Sequence, residues 1–137
     1  MAWELPLFRV PSFVAGEDLT DEQYKFVTLD TDGDVVLADE EDDVVGVLQN
    51  EPSEGQSAQI LVAGVTKLKV LEDEDIDYLE GVATADNGYA QKADPSDPDV
   101  DDNYIVGKSY DSVTDADGTI ITVAINCLNV GYVDGSA

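Results

Sequence analysis

Histidine is absent from this chain of 137 residues, cysteine occurs once, and lysine and arginine together number six. Without histidine, Ser-His-Asp and Cys-His mechanisms are excluded, because the imidazole that would take the nucleophile's proton does not exist; lysine-assisted variants stay open. A single Cys127 rules out an internal disulfide framework and any cysteine-based zinc site. It stands in the apolar run 120–130, where the expectation is a buried small hydrophobe rather than a nucleophile. Glycines occur singly at turns and strand bends, so no phosphate-cradling loop is present. The longest apolar stretch, 60–65, is far short of a membrane span. The N-terminus begins Met-Ala-Trp-Glu with no basic region, and Pro6, Arg9 and Pro11 interrupt its apolar residues, so no secretory signal is expected and the chain reads as cytoplasmic.

What the chain has in excess is acid. Thirty-one Asp and Glu give a formal net charge of −25, while the hydrophobic share is 43%. That apolar content suffices for a packed core, so acidity does not imply disorder, and the length suits one domain. On the usual area scaling the folded chain exposes roughly 7,000 Å², which spaces the net charges about 17 Å apart. Screening lengths of about 10 Å at 0.1 M salt and about 3 Å at 1 M make their mutual repulsion substantial in dilute buffer and small in brine. Scarce lysine, acids that are mostly Asp, and apolar positions leaning on Val and Ala resemble proteins of salt-loving archaea; an ordinary acidic protein is the alternative. The same field repels nucleic-acid backbones and anionic membranes, so the expected partners are proteins.

Residues 1–13, MAWELPLFRVPSF, differ from the rest of the chain. They carry Trp3, Leu5, Leu7, Phe8, Val10 and Phe13 with two prolines, which disfavour helix and hold the backbone extended. Fully stretched, the segment reaches about 40 Å. Two readings stand side by side: an arm folded back on its own domain, or one laid on a neighbouring subunit. From Val14 the signal is β. Short β-prone runs flank Asp32-Gly33, Asn87-Gly88 and Asp117-Gly118, three turns of the hairpin kind. The expected fold is all-β with minor helix, a compact antiparallel barrel or sandwich over 14–133, with the extended arm 1–13 before it and a short tail 134–137. Segments 19–26 and 72–79 are the only candidates for a helical turn or two, the former with Thr20 as N-cap.

A weak internal repeat runs through the chain. The order strand, Asp32-Gly33 turn, strand, acidic linker, Val44-Val45-Gly46-Val47, Gly55, strand recurs as Asn87-Gly88, acidic linker, Tyr104-Ile105-Val106-Gly107, Gly118, strand, which points to a duplicated β unit; chance likeness of two β meanders is the alternative. The linkers, 39–43 and 94–102, read as solvated loops. Asp30, Asp32 and Asp34 alternate as calcium ligands do, but Gly33 falls between the second and third, so the loop fails the EF-hand pattern and hairpin chemistry explains it. Among 31 acids some carboxylate pair always lies at a catalytic distance, so such a pair carries no signal. No catalytic residue, metal site or cofactor is expected.

Taken together, Gly16-Glu17-Asp18-Leu19, Tyr24-Lys25-Phe26-Val27, the Asp32-Gly33 turn, Val45-Gly46-Val47-Leu48-Gln49-Asn50 with Pro52, Gly55-Gln56-Ser57-Ala58 and Val62-Ala63-Gly64-Val65, behind an apolar arm, resemble the small capsid decoration (cement) proteins of tailed bacteriophages and related archaeal viruses. The likeness spans the first half well and the second half loosely, where acid-rich insertions depart from the pattern. It implies a compact β domain that adds to the outside of an assembled capsid, as homotrimers at local threefold positions bridging subunits of the major capsid protein, after a stay in the host cytoplasm. Trp3 and Phe8 would be the arm's anchors. A surface-layer or adhesion β module of a halophilic cell is the alternative function, and a small halophilic enzyme or ligand-binding barrel is the third.

Overall fold

The computed structural model describes residues 8–93, 103–128 and 131–133. Its strands are β1 (Phe8–Val14), β2 (Phe26–Leu29), β3 (Val35–Leu37), β4 (Gly46–Leu48), β5 (Ser57–Lys69), β6 (Gly81–Thr84), β7 (Ala90–Ala93), β8 (Asn103–Ile105), β9 (Gly107–Ser109), β10 (Ile120–Asn126) and β11 (Gly131–Val133). One antiparallel sheet runs β3-β2-β4-β5-β10-β9-β6-β7, with β1 also on β5, and curls into a half-barrel; β8 and β11 form a separate pair. The expected all-β fold is therefore what the chain adopts.

The sheet order reads the same from both ends, and its registers repeat. Val27 pairs with Gly46 as Val82 pairs with Gly107, and Leu48 pairs with Ile60 as Ser109 pairs with Val123. Ala15 bridges Val35, the first residue of β3, and Val70 bridges Ala90, the first of β7. The loops correspond too: the Gly55 N–H donates to Ala15 at 2.8 Å, and that of Gly118 to Val70 at 3.1 Å. The left-handed residues Tyr24, Gly33 and Gly55 have counterparts in Leu79, Gly88 and Gly118. Two consecutive units thus share one topology, and the glycines at turn, strand and loop that suggested a repeat in the sequence occupy matching places. By the same correspondence β1, which leads into Ala15, matches the second half of β5, which leads into Val70.

Strand β5 joins the units. Its residues 57–63 pair with β1 and its residues 63–69 with β10, so Phe8 and Asn126 share Ala63 as partner. Ala58, Ile60 and Val62 enter a smaller core with Leu19, Val27, Val35 and Leu48. Leu61 and Leu68 both enter the larger core, with Phe26, Val47, Val82, Ile121, Val123 and Ile125. On a flat strand, residues an odd number apart face opposite ways. Gly64 lies between them with φ 135, a conformation closed to side-chain-bearing residues, and there the strand turns from one core to the other.

The curl closes where the second unit's hairpin tip meets the first unit. The Gly88 N–H donates to the Ala38 carbonyl at 2.7 Å, the Asn87 N–H to Asp39 Oδ1 at 3.2 Å and the Glu40 N–H to Asp86 Oδ1 at 3.2 Å. Beside them Lys25, 5% exposed, is ion-paired with Glu22 and lies 4.0 Å over the Tyr89 ring. A buried ammonium is tolerable only with such partners.

Segments 19–26 and 72–79 form turns, not helices. Left-handed Tyr24 and Leu79 (φ 66 and 63) break any helical path. The side chain that accepts an amide there is Asp18, bonded to the Thr20 N–H at 3.2 Å, so Thr20 itself does not cap. The Asp117-Gly118 turn belongs to the loop between β9 and β10, whose Ala116 is hydrogen-bonded to Asp73 and Glu74, and is no tight hairpin. The linker 94–102 and the tail lie outside the described residues.

The two units place a glycine against the neighbouring strand's carbonyl in the same way: a Cβ at Gly46 would sit 2.3 Å from the Leu61 oxygen, and one at Gly107 2.2 Å from that of Ala124. Gly46→Ala and Gly107→Ala should therefore each lower the unfolding free energy in concentrated KCl, by comparable amounts of about 1–3 kcal/mol, and Gly64→Val by a similar amount through backbone strain. Urea unfolding followed by circular dichroism measures this; a neutral Gly107→Ala beside a damaging Gly46→Ala would deny the equivalence of the units.

Candidate functional site

Of the arm residues, Trp3, Leu5 and Leu7 lie outside the described residues. Phe8, Val10 and Phe13 belong to β1, whose backbone pairs with β5 of the same chain. The register slips between Phe8 and Arg9 and between Val10 and Phe13, around Pro11, which has no N–H to give to a ladder. Among the described strands β1 has β5 as its one ladder partner, so its other edge is not covered by a strand.

Phe13, half-buried against the smaller core, is also a wall of an open groove of about 400 Å³ whose other walls include Leu29, Val45, Val62, Cys127 and Leu128. The groove is held by the Cys127 N–H donating to the Val62 carbonyl at 2.8 Å and the Thr28 hydroxyl donating to the Asp43 carbonyl at 3.0 Å. Leu29 and Leu128 keep 38% and 68% of their surface in solvent, so the lip is apolar and accessible, with Asp43 at its rim. The large apolar groups of the arm were plain in the sequence, whereas this groove left no sign there, because its walls come from β1, β2, the loop before β4, β5 and the residues that follow β10.

The chemistry available is meagre. Burial pushes the Cys127 thiol up to about 12, with the Asp43 charge adding to the effect. The sequence suggested a buried small hydrophobe; Cys127 is partly buried, packed against the larger core at one wall of the groove. Burial also raises the Glu74 carboxyl, against the hydrogen bond it accepts from the Lys92 N–H at 3.2 Å. Among the described residues no group of three Cys, Asp or Glu side chains could hold a metal ion. The alternating acids of the first hairpin are explained by the turn: Asp30 Oδ1 accepts the N–H groups of Asp32 and Asp34 at 2.9 and 3.0 Å. Elsewhere acids close loops in the same manner, Asp75 accepting from the Asp115 N–H and Asp111 from the Thr122 N–H, each at 2.7 Å.

Position on the folded chain sets apart another group, one that no local stretch of sequence singles out. Lys67, Lys69 and Lys108 come together on the outer face of β5, β10 and β9. The alternation of Lys67 and Lys69 is visible in the sequence; their meeting with Lys108 depends on strand pairing across the two units.

No family model and no curated protein matches the sequence. The fold has counterparts among solved structures. The head fiber gp8.5 N base of bacteriophage phi29 superposes with a TM-score of 0.63 at 17% identity, covering 88% of this chain and 96% of that one. At that identity the likeness is one of fold, and it extends over both units.

Because the folded thiol holds its proton well beyond the ordinary cysteine range, Cys127 should react with iodoacetamide at pH 8 about three orders of magnitude more slowly in the folded protein than in urea, with mass spectrometry as the readout. Stability depends on pH through the same group: the contribution of the protonated thiol is intact below the unfolded value of 9.0 and is lost as pH climbs toward about 12. Equal folded and unfolded rates would show Cys127 to be open to solvent.

Proposed function

We propose that this chain is a structural virion protein that binds the outside of an assembled capsid and stabilises it by bridging subunits of the major capsid protein, in a virus of a salt-loving host. The observation that carries this reading is the fold likeness, over nearly the whole of both chains, to the base of a phage head fiber. Function is argued from sites as well as folds, and the site agrees: a strand edge that no described strand covers and an apolar groove sit at the end of the arm, where a partner could add a strand and receive apolar anchors. Trp3, Leu5, Leu7, Phe8, Val10 and Phe13 are the contact residues in this reading. The protein is not an enzyme, takes no cofactor, and works as many copies, as homotrimers, on a surface that multiplies weak contacts. Its net charge of −25 keeps it dispersed before assembly, in the host cytoplasm, and serves it in brine afterwards.

Purified capsids of a tailed haloarchaeal virus, stripped of their outer proteins, provide the test. The intact chain in 3 M KCl should bind them, and removal of residues 1–7, which leaves β1 in place, should weaken binding by about 30-fold or more, the scale of a lost hot spot. Trp3→Ala and Phe8→Ala should each account for a large part of that loss. Full binding by the shortened chain would move the contact off the arm, and no binding by the intact chain would turn the reading toward a surface-layer or adhesion module.

A further inference from the structure

The outer face of the β5, β10 and β9 strands is built of three cross-strand rows. Lys108, Ala124 and Val65 form one; Lys67 pairs with Thr122, whose carbonyl accepts the Tyr110 N–H at 2.9 Å, in the next; Lys69 pairs with Ile120 in the third. Paired residues stand side by side on one face. Val65, Tyr110 and Ile120 keep 54%, 48% and 48% of their surface exposed. Lys108, Tyr110, Ala124 and Asn126 also wall an open groove of about 400 Å³.

Two facts make this face unusual. In a chain with 31 acids, Lys67, Lys69 and Lys108 have no carboxylate within ion-pair reach among the described residues, where the pairs formed are Lys25 with Glu22 and Lys92 with Glu80. Lys69 instead donates to the Asp21 carbonyl at 3.3 Å, and Lys67 lies 5.7 Å from the Tyr24 ring. Half of the chain's six lysine and arginine residues thus share one partly apolar surface, beside which the Asp111 carboxylate is tied to the Thr122 N–H. Second, the equivalent face of the first unit is covered: Val47 and Leu61, the counterparts of Lys108 and Ala124, are buried in the larger core against Val82 and Val123 of the second unit. Within the molecule, then, the cover for this face is another copy of the unit.

We propose that the lysine-bearing face of β5, β10 and β9 is an interface for a second copy of this chain, which docks one of its acid-covered surfaces there. Both charge complementarity and the internal precedent select this occupant: every copy has a large excess of exposed acid to offer, and the fold already seats one unit on the matching face of the other. Contact between a cationic face and an acidic one is heterologous, so it builds closed rings when the rotation allows. Salt removes the long-range repulsion between copies while close ion pairs within the contact are screened less. The proposal gives a surface to the self-association included in the proposed function and rests on that part of it alone.

Light scattering of the full chain at about 100 μM in 1 M and 3 M KCl tests it. The expected mass is a multiple of 14.7 kDa. The double variant Lys67→Glu, Lys108→Glu should fall to the monomer mass with an unchanged circular dichroism spectrum, and Lys67→Ala, Lys108→Ala, the fallback should the reversal unfold, should fall toward it. Lys92→Glu, off this face, should keep the wild-type mass. A monomeric wild type, or folded lysine variants with wild-type mass, overturns the interface. Capsid binding is a separate readout: a chain that assembles but ignores capsids would sink only the virion reading, and one that binds capsids as a monomer would sink only this one.

Discussion

The pairing of β5 with β10 is the constraint on which the rest of the molecule depends. Each strand is the last of its unit's four-strand run, and joining them makes two small sheets into one that can curl. Together the units bury both sides of the first: its Val27, Leu48 and Ile60 face one core, and its Phe26, Val47 and Leu61 face the other, completed by the second unit. The bend at Gly64 lets a single strand serve both. With so many carboxylates repelling one another at the surface, this double burial is what holds a compact state, and most of the acids whose oxygens have partners are tied to backbone N–H groups in turns rather than to cations.

Duplication followed by curling has an unequal result. The face of the first unit that carries Val47 and Leu61 is buried, while Lys108 and Ala124 hold the matching positions on an open face of the second. Among the described side chains, the lysines serve a buried contact at Lys25, an exposed pair at Lys92 and an open sheet face. The raised thiol of Cys127 and the raised carboxyl of the half-buried Glu74 are consequences of packing.

Much of the fold could be read from residues. Asp-Gly and Asn-Gly turns between β-prone runs located both hairpins, since left-handed backbone at those places needs glycine or asparagine. The repeat showed through Gly46 and Gly107, which are kept by the close approach of a carbonyl, and through Gly55 and Gly118 in the loops. The helical turns expected at 19–26 and 72–79 do not form, because a local signal such as Thr20 says nothing of the left-handed Tyr24 beyond it, whose N–H bonds to the Leu48 carbonyl at 2.8 Å. The apolar character of the arm was plain, while the groove beside Phe13 and the gathering of lysines were not. Both are assembled from segments far apart in the chain, and their existence depends on register, which no single segment encodes.

The meeting of Phe8 and Asn126 at Ala63 gives the molecule a hidden circularity. Laid end to end along β5, β10 and β1 trace the path of one long strand, the counterpart of β5 itself, so the two repeats form a ring in which one strand is continuous and its twin is cut. Ring topologies of this kind can be opened at either twin without altering the pairing of the sheet. In this chain the opening falls at the handover from β10 to β1. A chain break at this twin leaves every rung of the ladder paired, as the registers of β1 and β10 on β5 show.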